Sequence, residues 1–106
     1  MIRGTLNSST SALLTANVSV PQHVVYRSFP AETVVLNLHT GKYHGLNATA
    51  GQMLEALEQA ACVRDAAVTL SERYQQEQST IERDLCELCE SLLDRGLIET
   101  DGSAAA

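Results

Sequence analysis

The sequence predicts an α+β domain in which a three-stranded antiparallel sheet is followed by three helices. Three observations carry this. Between residues 23 and 46, short apolar runs alternate at the period of strands and are broken by Pro30-Ala31 and by His39-Thr40-Gly41-Lys42. From Ala50 onward, apolar residues recur at the spacing of one-sided helices. The two regions join with almost no loop, because Asn47 or Thr49 can cap a helix that starts directly after the last strand.

Val18 and Val20 can begin a strand, but Pro21 interrupts it. His23 to Phe29 is the first firm strand and Glu32 to Leu38 the second. In the second, Val34, Leu36 and Leu38 alternate with Val35 and Asn37, the period of a strand with one face buried. Gly41 can supply the positive φ of a tight hairpin, and Tyr43 to Leu46 forms the return strand. The first helix carries Ala50, Met53, Leu54, Leu57 and Ala61 on one stripe; the second carries Val63, Ala66, Ala67, Leu70 and Tyr74. Gln75 to Gln78 reads as a loop, and Ser79 with Glu82 has the spacing of a capping box that would open the third helix. Its stripe is Ile81, Leu85, Leu88, Cys89 and Leu92. Arg95 suits the negative end of the helix, and Gly96 followed by Leu97 suits a left-handed cap with a hydrophobic contact. Residues 1–16 are expected to be a flexible tail, 17–99 the folded domain and 100–106 a frayed end.

Composition narrows the function. With 106 residues, 44% hydrophobic but 4% aromatic, the chain can build one small aliphatic core. No run approaches the roughly 20 apolar residues of a membrane span. The start, MIRGTLNSSTSALLTAN, lacks the continuous apolar stretch of a signal peptide, so a cytoplasmic location is expected. The net charge is −6, and the basic residues are scattered, which argues against nucleic-acid binding. The odd number of cysteines, Cys62, Cys86 and Cys89, points to reduced thiols. Cys86 and Cys89 form a C-x-x-C, but in mid-helix and without further ligands at matching spacing, so neither metal nor cofactor is expected. His23, His39 and His44 make no visible triad with a nucleophile, and no catalysis is expected.

The pieces VSVPQHVVYRS, VVLNLHTGKYHGLNATAGQMLEAL, VRDAAVTLSERY and LLDRGLIE, in that order, resemble the PqqD-like family, also called RiPP recognition elements. The segment TGKYHGLN is the most specific of them, and within the family it is most similar to the split B1 branch of lasso-peptide biosynthesis. The Ser/Thr-rich start and the alanine tail are not features of the family. The resemblance implies a winged-helix-like domain that binds the leader of a ribosomal precursor peptide. The leader would add as a strand beside Lys42, Tyr43, His44, Gly45 and Leu46, in a groove bounded by the third helix. A leader peptidase acting in trans is the implied enzyme partner.

On the third helix, Glu82, Cys86, Cys89 and Leu93 lie along one flank of the Leu85 stripe; Asp84, Leu88, Ser91 and Arg95 lie along the other. The first flank is the more apolar and is expected to line the groove, although helical geometry alone leaves the orientation open. Other readings are a recognition element of a different peptide-modification pathway and a winged-helix DNA-binding regulator. The second is opposed by Glu82, Asp84, Glu87, Glu90 and Asp94 on that helix against Arg83 and Arg95. An unpaired strand edge can also pair across a two-fold axis, which would allow a homodimer.

Overall fold

The computed structural model describes residues 12–101. The strands are β1 (Val18–Ser19), β2 (Val24–Ser28), β3 (Glu32–Asn37), β4 (Lys42–Asn47) and, near the end, β5 (Glu99–Thr100). The helices are α1 (Ala48–Gln59), α2 (Val63–Tyr74) and α3 (Gln78–Asp94). β2, β3 and β4 form an antiparallel sheet in that order, as expected. Two features extend the expectation. Residues 12–15 form a helical turn, and β1 pairs with β5, with Val18 opposite Thr100 and Ser19 opposite Glu99.

That small ladder moves both domain boundaries. Leu14 and Ala16, assigned by composition to a flexible tail, are buried. The Ala16 carbonyl accepts a hydrogen bond from Val63 N at 3.0 Å and so satisfies an orphan donor at the start of α2, where Cys62 offers no side-chain cap. Thr100 and Asp101, assigned to the frayed end, are also ordered: Asp101 N donates to the Asn17 carbonyl at 3.0 Å. Residues 1–11 and 102–106, the remainder of the two expected tails, lie outside the described residues.

β3 alternates as expected and buries its less apolar face. Thr33, Val35 and Asn37 point to the helices and are buried, whereas Val34 and Leu36 point outward and Leu38 is 56% exposed. Apolarity alone favoured the opposite choice. The two buried polar residues are tolerated because both are satisfied. Asn37 Oδ1 accepts from His39 N at 2.9 Å and from Thr40 N at 3.3 Å, which ends the strand before Leu38. Ser28 Oγ lies 3.0 Å from Thr33 Oγ1 and donates to Glu55 Oε2 at 3.0 Å. A serine hydroxyl has a single proton, so Thr33 is the donor to Ser28, and the chain of bonds runs Thr33 to Ser28 to Glu55.

Thr33 is also where α1 meets the sheet. A Cβ built on Gly51 would lie 1.9 Å from Thr33 Oγ1 and 2.7 Å from Thr33 Cβ. Only glycine lets the helix approach β3 this closely. The strand-to-helix junction is as tight as predicted: Asn47 ends β4, and its Oδ1 caps α1 by accepting from Ala50 N at 2.8 Å. Tyr26 of β2 donates to Glu58 of α1 at 2.6 Å, tying the far strand to the same helix.

α2 packs on α1, and α3 packs on α2, to complete the core. The expected capping box at Ser79 does not form. α3 begins one residue earlier, at Gln78, whose Nε2 donates to Glu82 Oε2 at 2.8 Å and occupies the carboxylate that the box would use. The other end matches expectation. Gly96 has φ +73°, Gly96 N donates to Leu93 O at 3.0 Å, and Leu97 N donates to Leu92 O at 2.9 Å. Leu97 is thereby folded back and buried. Burying such a side chain contributes about 1.5–3 kcal/mol.

Gly51→Ala tests the helix-to-sheet contact. In an unobstructed helix this change stabilises by about 1 kcal/mol. Here overpacking against Thr33 should reverse the sign and cost about 1–3 kcal/mol, read as a lower urea midpoint.

Candidate strand-addition edge

β4 pairs with β3 through six residues, Asn37 opposite Lys42 to Glu32 opposite Asn47, and with no other strand among the described residues. Alternate N–H and C=O groups along its other side are therefore open to a further strand. The expected edge residues separate by face. Tyr43 and Gly45, opposite Leu36 and Val34, lie on the open face of the sheet, and Tyr43 is 71% exposed. His44, opposite Val35, lies on the helix side and is half-buried. Lys42 is exposed. Leu46, opposite Thr33, is buried in the core, so only its backbone is available to a partner. A Cβ on Gly45 would lie 3.4 Å from Glu32 Oε1, an ordinary contact, so the fold itself does not demand glycine there.

A cleft of about 340 Å³ opens where β4 hands over to α1. Thr49 and Met53 of α1 form one wall, Ile81 and Asp84 of α3 the other, with Tyr74 and Gln76 at the end of α2 closing it. Gln52 of α1 accepts a hydrogen bond from the Tyr74 hydroxyl, which holds the end of α2 against α1.

Two of the α3 residues expected to line the groove are core residues. Cys86 and Cys89, expected at the groove edge, are buried, Cys89 completely. Glu82 is turned toward α2, with its Oε2 4.0 Å from Arg64 Nε. Leu93 is exposed, but it lies beyond these residues on the same α2-facing flank. The cleft side of α3 instead carries Asp84 and, one turn on, the half-buried Leu88. The apolar character of Cys86 and Cys89 reflects core packing, and a small buried thiol is as good a core residue as a groove liner.

The same burial controls the thiols. It pushes Cys86 up from the ordinary 9.0 to about 11, helped by the negative charges of Glu90 and Glu82. It pushes Cys89 up to about 12, with Cys86 and Glu90 adding to it. Neither is a poised nucleophile. The Tyr26 hydroxyl is also raised, first by burial, then by its hydrogen bond to Glu58 and the charges of Glu58 and Glu55. His23 and His39 stack face to face with centroids 4.0 Å apart at the hairpin end, apart from any cysteine. Among the described residues, no three His, Cys, Asp or Glu side chains are grouped to hold a metal ion. No described helix is long and apolar enough to cross a membrane.

A sheet with an open outer strand, joined without a loop to a three-helix layer, can be compared with known families. A family model described as coenzyme PQQ synthesis protein D (PqqD) matches residues 32–98. The chain belongs to the PqqD family. The PqqD match takes in β3, β4 and all three helices, which are the parts that build the edge and the cleft. Two solved structures share the fold. One, described as TbiB1 in complex with the TbiA(beta) leader peptide, is 28% identical, with a TM-score of 0.69 over 76% of this chain and 94% of that one. The other, described as lasso peptide synthetase B1 complexed with the leader peptide, is 26% identical, with a TM-score of 0.70 over 79% of this chain and 99% of that one. Among curated protein sequences, none matches significantly.

The raised thiols set a pH dependence for this PqqD-family chain. Unfolded thiols ionise near 9, whereas the folded ones resist ionisation, so their contribution is complete below pH 9 and is lost as pH rises through about 11 to 12. The urea midpoint should fall above pH 9, and less steeply in Cys86→Ala/Cys89→Ala. At pH 8 the half-buried Cys62 should react first with a thiol reagent.

Proposed function

We propose that this protein is a non-catalytic module that captures the leader of a ribosomal precursor peptide in lasso-peptide biosynthesis and delivers it to a leader peptidase acting in trans. The observation that carries this reading is the likeness to two B1 structures, each described with a leader peptide, over more than three-quarters of the chain. The free side of β4 gives it a physical route. The leader adds as a fourth strand along Lys42–Asn47, with its backbone paired to that of β4.

Such pairing is weak by itself. Each backbone hydrogen bond contributes about 0.5–1.5 kcal/mol net, and ordering a flexible peptide offsets much of it. Side chains must supply affinity and selectivity. In this proposal, those of the leader that point to the helix side meet His44, Met53, Ile81 and Leu88, with Asp84 available to a basic residue. The carboxylates along α3 favour a basic leader over nucleic acid. Three free thiols support a cytoplasmic setting. Tethering precursor and enzyme to one module raises their effective concentration with no chemistry of its own.

Fluorescence anisotropy with the leader of the precursor encoded beside this gene tests the reading. Saturable binding is expected, and no binding at tens of micromolar overturns it. N-methylation of alternate leader residues should abolish binding in one register only. Leu88→Asp should weaken binding by about tenfold, whereas Leu93→Asp on the other flank should leave it within about twofold.

A further inference from the structure

The edge strand lacks a side chain at one position where the fold has no need of glycine. Gly45 lies inside β4 on the open face, directly opposite Val34. Its φ is not positive, unlike that of Gly41 and Gly96. A Cβ there would meet a single atom, Glu32 Oε1, at 3.4 Å. Glycine weakens a strand, and inside one it marks a place where another chain needs the room.

A carboxylate stands over that room. Glu32 opens β3 opposite Asn47, on the same face as Val34, and its Oε1 reaches diagonally across the ladder to the space above Gly45. Its carboxylate has neither an ion pair nor a hydrogen bond among the described residues. Arg27 of β2, opposite Val34 on the other side of β3, makes no ion pair with it. The charge is therefore uncompensated, and it sits beside the one edge of the sheet where a strand can add.

Glu32 decides which side chain can use the gap. A strand added to β4 sets one residue beside Gly45, about 4.8 Å away. An acidic side chain there is repelled. A neutral apolar one presses on the carboxylate and strips its water with no bond in exchange. A lysine or arginine lays its methylenes across the Gly45 backbone and brings its charge to Glu32. Tyr43, on the same face and 71% exposed, offers its ring to the same cation. Any side chain at position 45 would stand in that path.

We propose that Glu32, acting across the gap at Gly45, selects a lysine or arginine of the bound leader, on the side of the leader strand turned away from the helices. The inference rests on the proposed function for the identity of the peptide. It adds a specificity contact on the face opposite the cleft, so that the strand is read from both sides.

The test uses the full chain and the labelled leader in fluorescence anisotropy, with folding followed by urea unfolding. Glu32→Gln should weaken leader binding by about threefold to tenfold, an effect that shrinks as salt rises. The urea midpoint should stay in place, because the side chain is exposed. Gly45→Val should raise the urea midpoint yet weaken binding by a similar factor, a combination that a purely structural glycine does not give. Each lysine and arginine of the leader is then replaced by glutamine in turn. One replacement should cost wild type about threefold to tenfold and cost Glu32→Gln almost nothing. Glutamate at that leader position should restore binding to Glu32→Lys. The inference alone is overturned if wild type binds leader but no basic leader residue couples to Glu32, or if Glu32→Gln or Gly45→Val binds as wild type does. It is equally overturned if Gly45→Val lowers the urea midpoint. Absence of leader binding to wild type overturns the proposed function, and this inference with it.

Discussion

The contact between Gly51 and Thr33 sets the geometry on which the rest of the structure depends. α1 can lie against β3 only because one side chain is missing at the point of closest approach. The threonine that fills the gap brings a buried hydroxyl, and Ser28 and Glu55 satisfy it. Since β4 enters α1 directly through the Asn47 cap, fixing α1 on the sheet also fixes β4 relative to the helices. The cleft between Met53 and Asp84 is the space left beside that rigid corner. A loop between strand and helix would let β4 shift relative to α1 and so relative to the cleft.

The parts of the fold governed by local chemistry were legible in the sequence. Gly41 at φ +76°, Asn47 as a cap and Gly96-Leu97 as a helix stop all take conformations that their own side chains, or lack of one, dictate. The parts set by distant partners were not. β3 offers aliphatic residues on both faces, and the choice between Val34-Leu36 and Thr33-Val35 turns on a helix eighteen residues downstream of Thr33, where Gly51 sits. A glycine inside an otherwise good helix was the available signal, since it is costly there unless something approaches closely. β1 left only the Val18 and Val20 alternation that Pro21 interrupts, and the two-residue β5 left no periodic trace.

The roles of Cys86 and Cys89 on α3 were illegible for a related reason. Cysteine, leucine and isoleucine serve equally well inside a core or along a groove, so an apolar flank does not reveal which it lines. Arg64 would have been a better guide. Arg64 of α2 engages Glu82, and a charged residue tied to a neighbouring helix marks the flank that faces that helix, whereas the Gln78 bond to Glu82 stays within α3. Polar residues, which are selective about company, carry more positional information in a small domain than apolar ones.

The β1–β5 ladder brings distant parts of the chain together. Asn17 and Asp101 are hydrogen-bonded to each other, and Asn17 Nδ2 also holds the Ala61 carbonyl just past the end of α1. The chain therefore enters the β1–β5 ladder and leaves it at one place. Helix α1, about 18 Å long at 1.5 Å per residue, separates that clasp from the junction with β4. The clasp that gathers β1, β5 and the end of α1 thus sits a helix length from the exposed strand.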